Sequence, residues 1–131
     1  MVEDILPLLF ANPLSSRMSL MQNVLIRPDV ALLSPVGHIN ASNAEAFKQE
    51  LTAVVSTGDW DAVLVDMAQV ESLDSAGLMA LVASLSLANT LNRRFALCSV
   101  SPSIRIIFEL TQLDRAFAMF ESVAAFEATL P

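Results

Sequence analysis

Apolar residues in this chain change period repeatedly, from short unbroken runs to spacings of three and four, and the changes lay out strands alternating with helices. Asn23 to Arg27 and Val30 to Gly37 are apolar runs on either side of Pro28-Asp29, which predicts an antiparallel hairpin. Pro35 removes a ladder donor from the second run and implies an edge or a bulge there. Ser42 with Glu45 three residues later makes a capping-box pair, and Phe47, Leu51, Val54 and Val55 follow at helical spacing. A first helix is therefore predicted from Asn43 to Thr57, stopped by Gly58.

The run Ala62 to Asp66 lacks alternation, the mark of a strand buried on both faces as parallel sheets require. A second helix is predicted from Ser75 to Leu91, with Leu78, Leu81, Val82, Leu85 and Ala88 on one face. Met79, Leu87 and Leu91 widen its apolar surface, so part of the helix, near its start, is expected to be exposed and available to a partner. Phe95 to Val100 is the next strand; Ser101-Pro102 then caps and opens a third helix carrying Ile104, Ile107, Phe108 and Thr111 in register. A last strand, Ala116 to Phe120, precedes a fourth helix capped by Ser122 and carrying Val123, Phe126 and Leu130. Strands that alternate with helices pair in parallel through right-handed crossovers. The expected fold class is α/β, a single mixed sheet with a leading antiparallel hairpin followed by alternating strands and about four helices.

Residues 1 to 20 hold Pro7, Pro13 and the Ser15-Ser16 pair without a clear period, so they are expected to form an extension ahead of one domain spanning 21 to 131. A chain of 131 residues suits one well-cored domain. Its composition, 54% hydrophobic and 16% charged, argues against disorder and leaves a weakly charged surface suited to protein contacts. The net charge of −7 repels nucleic acid and anionic membranes alike. The acidic start Met1-Val2-Glu3-Asp4 does not read as a secretion signal. The weakly polar stretch Ala76 to Ala88 is too short for a membrane helix, which needs roughly 20 apolar residues. The lone Cys98 lies in an apolar run and reads as a core residue, in keeping with a reducing cytoplasm.

Enzymatic chemistry finds little support. A serine nucleophile needs a base within hydrogen-bond reach, and the only histidine, His38, falls between a strand and a loop and reads as a surface residue. The glycine that a nucleophile elbow places two residues before its serine is replaced by Leu73. Gly37, Gly58 and Gly77 are too far apart to form a phosphate-cradling loop, so no nucleotide or other cofactor is expected. Asp66 and Asp74 lack the further ligands a metal site requires. Arg93-Arg94 suits the dipole at the end of the second helix.

The most telling stretch is Leu73-Asp74-Ser75-Ala76-Gly77-Leu78, which sets a hydroxyl at the mouth of the second helix. Unpaired N–H groups and the positive end of the peptide dipoles would favour a phosphate on Ser75. Equally, Asp74 or Ser75 can serve simply as the helix cap.

Val63-Leu64-Val65-Asp66 and Val70 to Leu78 closely resemble the STAS domain family of bacterial anti-sigma factor antagonists, as do Ala96 to Arg105 and Ile107 to Asp114 further on. The resemblance implies that Ser75 is phosphorylated by an anti-sigma factor serine kinase and dephosphorylated by a metal-dependent serine phosphatase. It implies too that only the unphosphorylated form captures the kinase and frees a sigma factor in the cytoplasm. The partner surface it implies comprises Asn40, Asp74, Ser75, Ala76, Gly77, Leu78 and Met79. Where many members read G-x-L-D, this chain has Gly37-His38-Ile39-Asn40, so Asn40 keeps the shape of the usual acid without its charge and can still hydrogen-bond the serine loop. The alternative is a constitutive, non-switching STAS subunit of a transporter or scaffold complex.

Deleting residues 1 to 20 is expected to leave the melting temperature nearly unchanged. A large loss in thermal unfolding would show instead that Leu6, Leu8, Leu9 and Phe10 fill a groove on the domain or at a dimer contact.

Overall fold

The computed structural model describes residues 21–26 and 29–130. The predicted extension, residues 1 to 20, and Pro28 of the predicted hairpin turn lie outside the described residues. Strand β1 (Met21–Ile26) runs antiparallel to β2 (Val30–Pro35), with Val24 opposite Leu33 and Ile26 opposite Ala31. Pro35 is the last residue of β2, and the ladder is irregular between Met21 and Val24 beside it. After β2 come β3 (Gly37–Ile39), α1 (Ala44–Ser56), β4 (Ala62–Asp66), β5 (Val70–Leu73) and α2 (Ser75–Thr90). The chain continues through β6 (Arg94–Cys98), α3 (Pro102–Leu110), a 3-10 turn at Leu113–Arg115, β7 (Ala118–Phe120) and α4 (Val123–Glu127).

The expectation of a single sheet is corrected. Five strands form the main sheet in the order β1-β2-β4-β6-β7, with β2, β4, β6 and β7 parallel, while β3 and β5 form a separate two-stranded parallel sheet. Gly37, where the predicted strand ends, adopts φ +90° and turns the chain out of the main ladder into β3, a strand the sequence does not announce. Its N–H then bonds to the Gln69 carbonyl at 2.9 Å, ahead of β5. The last strand is shorter than predicted because the backbone at Leu113–Arg115 closes a tight turn first.

Helix starts follow the sequence unevenly. Ser101 and Ser122 cap α3 and α4, their hydroxyls accepting from the N–H groups of Ile104 and Ala125. The predicted Ser42–Glu45 box does not form, because Asn40 takes both Ser42 donors: its Oδ1 accepts from Ser42 N at 3.0 Å and Ser42 Oγ at 2.6 Å. The Asn40 carbonyl then accepts from Asn43 and Ala44 and opens α1 in place of a side-chain cap.

Residue parity sorts the core into two layers. Ala31, Val63 and Phe95 are aligned neighbours across β2, β4 and β6, as are Leu33, Val65 and Leu97, and all six join the large cluster with α1, α2 and α3. The alternate residues Val30, Ala62, Leu64, Ala96 and Cys98 face the other way and pack with Phe126 of α4. Side chains this small let the fully buried Phe126 lie close to the sheet, edge-on to Phe120 at 5.3 Å between centroids. The unalternating strands were a true sign of burial on both faces.

Arg93 corrects another expectation. Its guanidinium donates to the carbonyls of Val55, Thr57 and Gly58 at 3.0, 2.7 and 2.7 Å, so it closes the end of α1 and not that of its own helix. Arg94 lies over the Phe126 ring at 4.6 Å and reaches the Thr129 hydroxyl.

Glu50, on the opposite side of α1 from Lys48, is half-buried with Oε1 shielded and without a hydrogen-bond partner among the described residues. Burial pushes its pKa up from 4.5 to about 7. Between those values the folded chain retains a proton that the unfolded chain has released, so this group's contribution makes stability fall as pH rises through that window. Glu50→Gln is therefore expected to raise the melting temperature at pH 8 and to raise it less at pH 5; an equal change at both, measured by thermal unfolding, would refute this.

Candidate functional site

The two-stranded sheet exists to place the start of α2. His38 and Ile39 of β3 are register partners of Ser72 and Leu73 of β5, and the next N–H, that of Asp74, bonds to the Ile39 carbonyl at 3.1 Å. Asp74 is extended, and its Oδ1 accepts from Ala76 N at 2.9 Å and Gly77 N at 3.1 Å. Its Oδ2 accepts from Ala41 N at 3.2 Å, which ties the approach to α1 to the start of α2. Of the two possible caps the structure selects Asp74. Ser75 is thereby the first residue of α2, exposed, with its hydroxyl bonded to none of the described residues.

Gly77 is required by close approach. A Cβ there would lie 2.6 Å from Leu73 Cδ1 and 2.8 Å from Ile39 Cγ2, both buried, so any side chain would lift the helix start off the β3–β5 pair. Leu78 is buried at 5% exposure and packs into the core. Leu78, expected on the partner surface, has its side chain beneath the helix, where it anchors the start of α2. Gly77, also buried, can act only through backbone position. Met79 is the opposite case, 59% exposed on the outer face.

Beside this turn a groove of about 400 Å³ runs between α1 and α2, walled by Ala44, Lys48, Ala76, Met79, Ala80 and Ala83. The alanines leave apolar space, and Glu45 and Lys48 put one charge of each sign on the α1 wall. The expected exposed apolar surface near the start of the second helix is present here.

Asn40 does not bond the serine loop through its amide, contrary to expectation. Its side chain is committed to Ser42, and its own N–H donates to Asn43 Oδ1 at 2.9 Å, so its work is to turn the chain into α1. The link between the two loops runs instead through Ala41 and Ile39, which sequence reasoning missed. Val70-Glu71-Ser72-Leu73, buried at its two ends and exposed at both positions between, lacks the strict alternation that would have announced β5. Asp66 is separate from the turn, with Oδ1 accepting from Ala68 N at 3.0 Å. Among the described residues no three His, Cys, Asp or Glu side chains gather as metal ligands. Cys98 is fully buried, and burial, with the nearby Asp66 charge, pushes its thiol up to about 11, where it is inert. No described helix is long and apolar enough to cross a membrane.

The STAS domain family matches residues 21–126, and the chain belongs to that family. The Bordetella bronchiseptica protein BtrV, which carries the name of an anti-sigma factor antagonist, is 30% identical over 99 residues, covering 72% of this chain and 84% of BtrV. A Thermotoga maritima structure described as an anti-sigma factor antagonist superposes with a TM-score of 0.75 at 26% identity, over 81% of this chain and 91% of that one. The anti-sigma factor antagonist of Mycobacterium paratuberculosis gives 0.72 at 29% identity, over 81% and 90%. Within the family, then, the chain falls among the anti-sigma factor antagonists.

Asp74→Ala is expected to lower stability by about 2 kcal/mol, because two helix N–H groups and Ala41 lose their acceptor, whereas Ser75→Ala should change it by less than about 0.5 kcal/mol. Denaturant unfolding of both variants checks the assignment of the cap; equal losses would overturn it.

Proposed function

We propose that this chain is a phosphorylation-controlled partner-switching protein with Ser75 as its phosphoacceptor. The observation that carries this reading is the division of labour at the turn. Asp74 does the capping, so the Ser75 hydroxyl is exposed and bonded to none of the described residues, one position before Ala76 of the groove wall. Likeness to named anti-sigma factor antagonists supplies the class of partner. In this reading an anti-sigma factor serine kinase docks on the unphosphorylated form and releases its sigma factor, and a metal-dependent serine phosphatase restores that form after phosphorylation. The chain itself is substrate and ligand, with no catalytic step of its own, and works in the cytoplasm.

The contact surface comprises Ala76 and Met79 with the groove behind them, Ser75 at its rim, and Asn40 and Asp74 as the groups that hold the two loops in place. Phosphorylation adds about −1.5 to −2 charges at pH 7. The free domain tolerates this, because the helix dipole attracts the phosphate while Asp74 repels it. A partner packed over Met79 would have to desolvate a dianion it does not pair, at a cost of a few kcal/mol, or on the order of a hundredfold in affinity.

Ser75→Ala should therefore bind the kinase as the unphosphorylated wild type does, and Ser75→Asp and Ser75→Glu should bind poorly. Isothermal titration of these forms decides it. Equal affinities for wild type, Ala and Asp would sink the switch and favour a constitutive STAS subunit.

A further inference from the structure

Three residues before Ser75 lies a second exposed hydroxyl in a different setting. Ser72 Oγ is 2.7 Å from His38 Nδ1, across the β3–β5 register, and His38 Nε2 is 3.3 Å from Glu71 Oε1. The direction of these bonds follows from what each group can offer. An ionised carboxylate only accepts, so Nε2 presents a proton to Glu71, and in the tautomer whose single ring proton sits there Nδ1 is an acceptor. In that tautomer the Ser72 O–H donates to it. A hydroxyl thus faces a base whose far nitrogen is held by a carboxylate, the relation that primes a serine for attack on an electrophile.

Self-contained hydrolysis does not fit this place. Ser72 lies within a strand, and His38 and Glu71 are 63% and 68% exposed, so the site neither excludes water nor forms a pocket of N–H groups for an oxyanion. An acceptor role does fit, because the donor enzyme then brings the charge stabilisation. Ser72 and Ser75 are within about 11 Å along the chain, close enough for a kinase seated at one to reach the other.

We propose that Ser72 is a second phosphoryl-acceptor site, with His38 taking its hydroxyl proton and Glu71 holding the imidazolium that results. Part of this rests on the switch reading, since the natural donor is ATP delivered by the kinase of Ser75. In the step, Ser72 Oγ bonds to the γ-phosphorus, the bond from that phosphorus to the β-γ bridging oxygen breaks, ADP leaves, and the proton passes to His38 Nδ1. The new phosphate then lies beside a cationic ring, which offsets its repulsion from Glu71.

Two measurements on the full chain test this. In the first, wild type, Ser75→Ala, Ser72→Ala and His38→Gln are incubated with the kinase and ATP, and phosphate is located by peptide mass spectrometry. Phosphate on Ser72 of Ser75→Ala, slowed in His38→Gln while Ser75 is modified at the wild-type rate, is the expected result. Phosphate on Ser75 of the wild type with none on Ser72 of Ser75→Ala overturns the second site and leaves the switch intact. Phosphate on neither serine counts against the switch, and Ser72 is then judged by the second measurement alone. That measurement uses diisopropyl fluorophosphate, whose phosphorus bonds to Oγ as fluoride leaves, and needs no kinase. An adduct on Ser72, formed about a hundredfold more slowly in His38→Gln, is expected. No adduct on Ser72, or one that His38→Gln leaves equally fast, overturns the proposal and reduces the trio to a cross-strand contact.

Discussion

The Asp74 carboxylate is the constraint on which the site depends. One side chain accepts from two N–H groups of α2 and from Ala41 on the approach to α1, so a single group fixes the relation between two crossover segments. Three charge-assisted bonds to backbone are stronger than a surface ion pair, because the donors are held in place by secondary structure and lose little entropy on pairing. Everything proposed for Ser75 follows from that placement. A serine that had to cap its own helix could not be modified without breaking the cap, whereas one relieved of the duty by its neighbour can change charge at little cost to the fold.

Behind Asp74 the packing leaves almost no freedom. Gly77 brings the first turn of α2 against Leu73 and Ile39, and the Asp74 N–H to Ile39 carbonyl bond sets the height of that turn above the small sheet. Leu78 then enters the main core. Exposed and buried residues therefore lie close together over six positions, from Ser75 and Met79 outside to Gly77, Leu78 and Ala80 inside. A rigid base under a small exposed patch lowers the entropy lost on docking, so under the proposed switch a modest surface would suffice.

What the sequence made legible was what local chemistry decides alone. Strand runs such as Ala62–Asp66, the Ser101-Pro102 and Ser122 caps and the span of α2 each rest on neighbours a few residues away, and the structure keeps them. The misses share a different cause. Ser42 lost its capping role to a competing acceptor at Asn40, Arg93 reached across the fold to the end of α1, and Gly37 sent β3 to pair with a strand more than thirty residues away. Each depends on a partner distant in sequence or on a choice between two acceptable acceptors, and neither is written in a single stretch of residues. The start of α2 at Ser75 was legible because its motif is local; the pairing of His38 with Ser72 was not, because strand register alone creates it.

Under the proposed switch, the same geometry would let a charge at this turn act on a partner without remodelling the domain. The first turn of α2 already holds one carboxylate, and its N–H donors at Ala76 and Gly77 are taken. A phosphate on Ser75 would find the dipole but not those donors, so it has no strong reason to displace Asp74 and would remain exposed. The fold then reads the modification weakly and an interface reads it strongly, since water solvates the dianion in the free protein and is expelled in the complex. Under the proposed switch this asymmetry is the mechanism. The information lies in what a docked surface must desolvate at the rim of the α1–α2 groove, while the sheet and the helices beneath stay as they are.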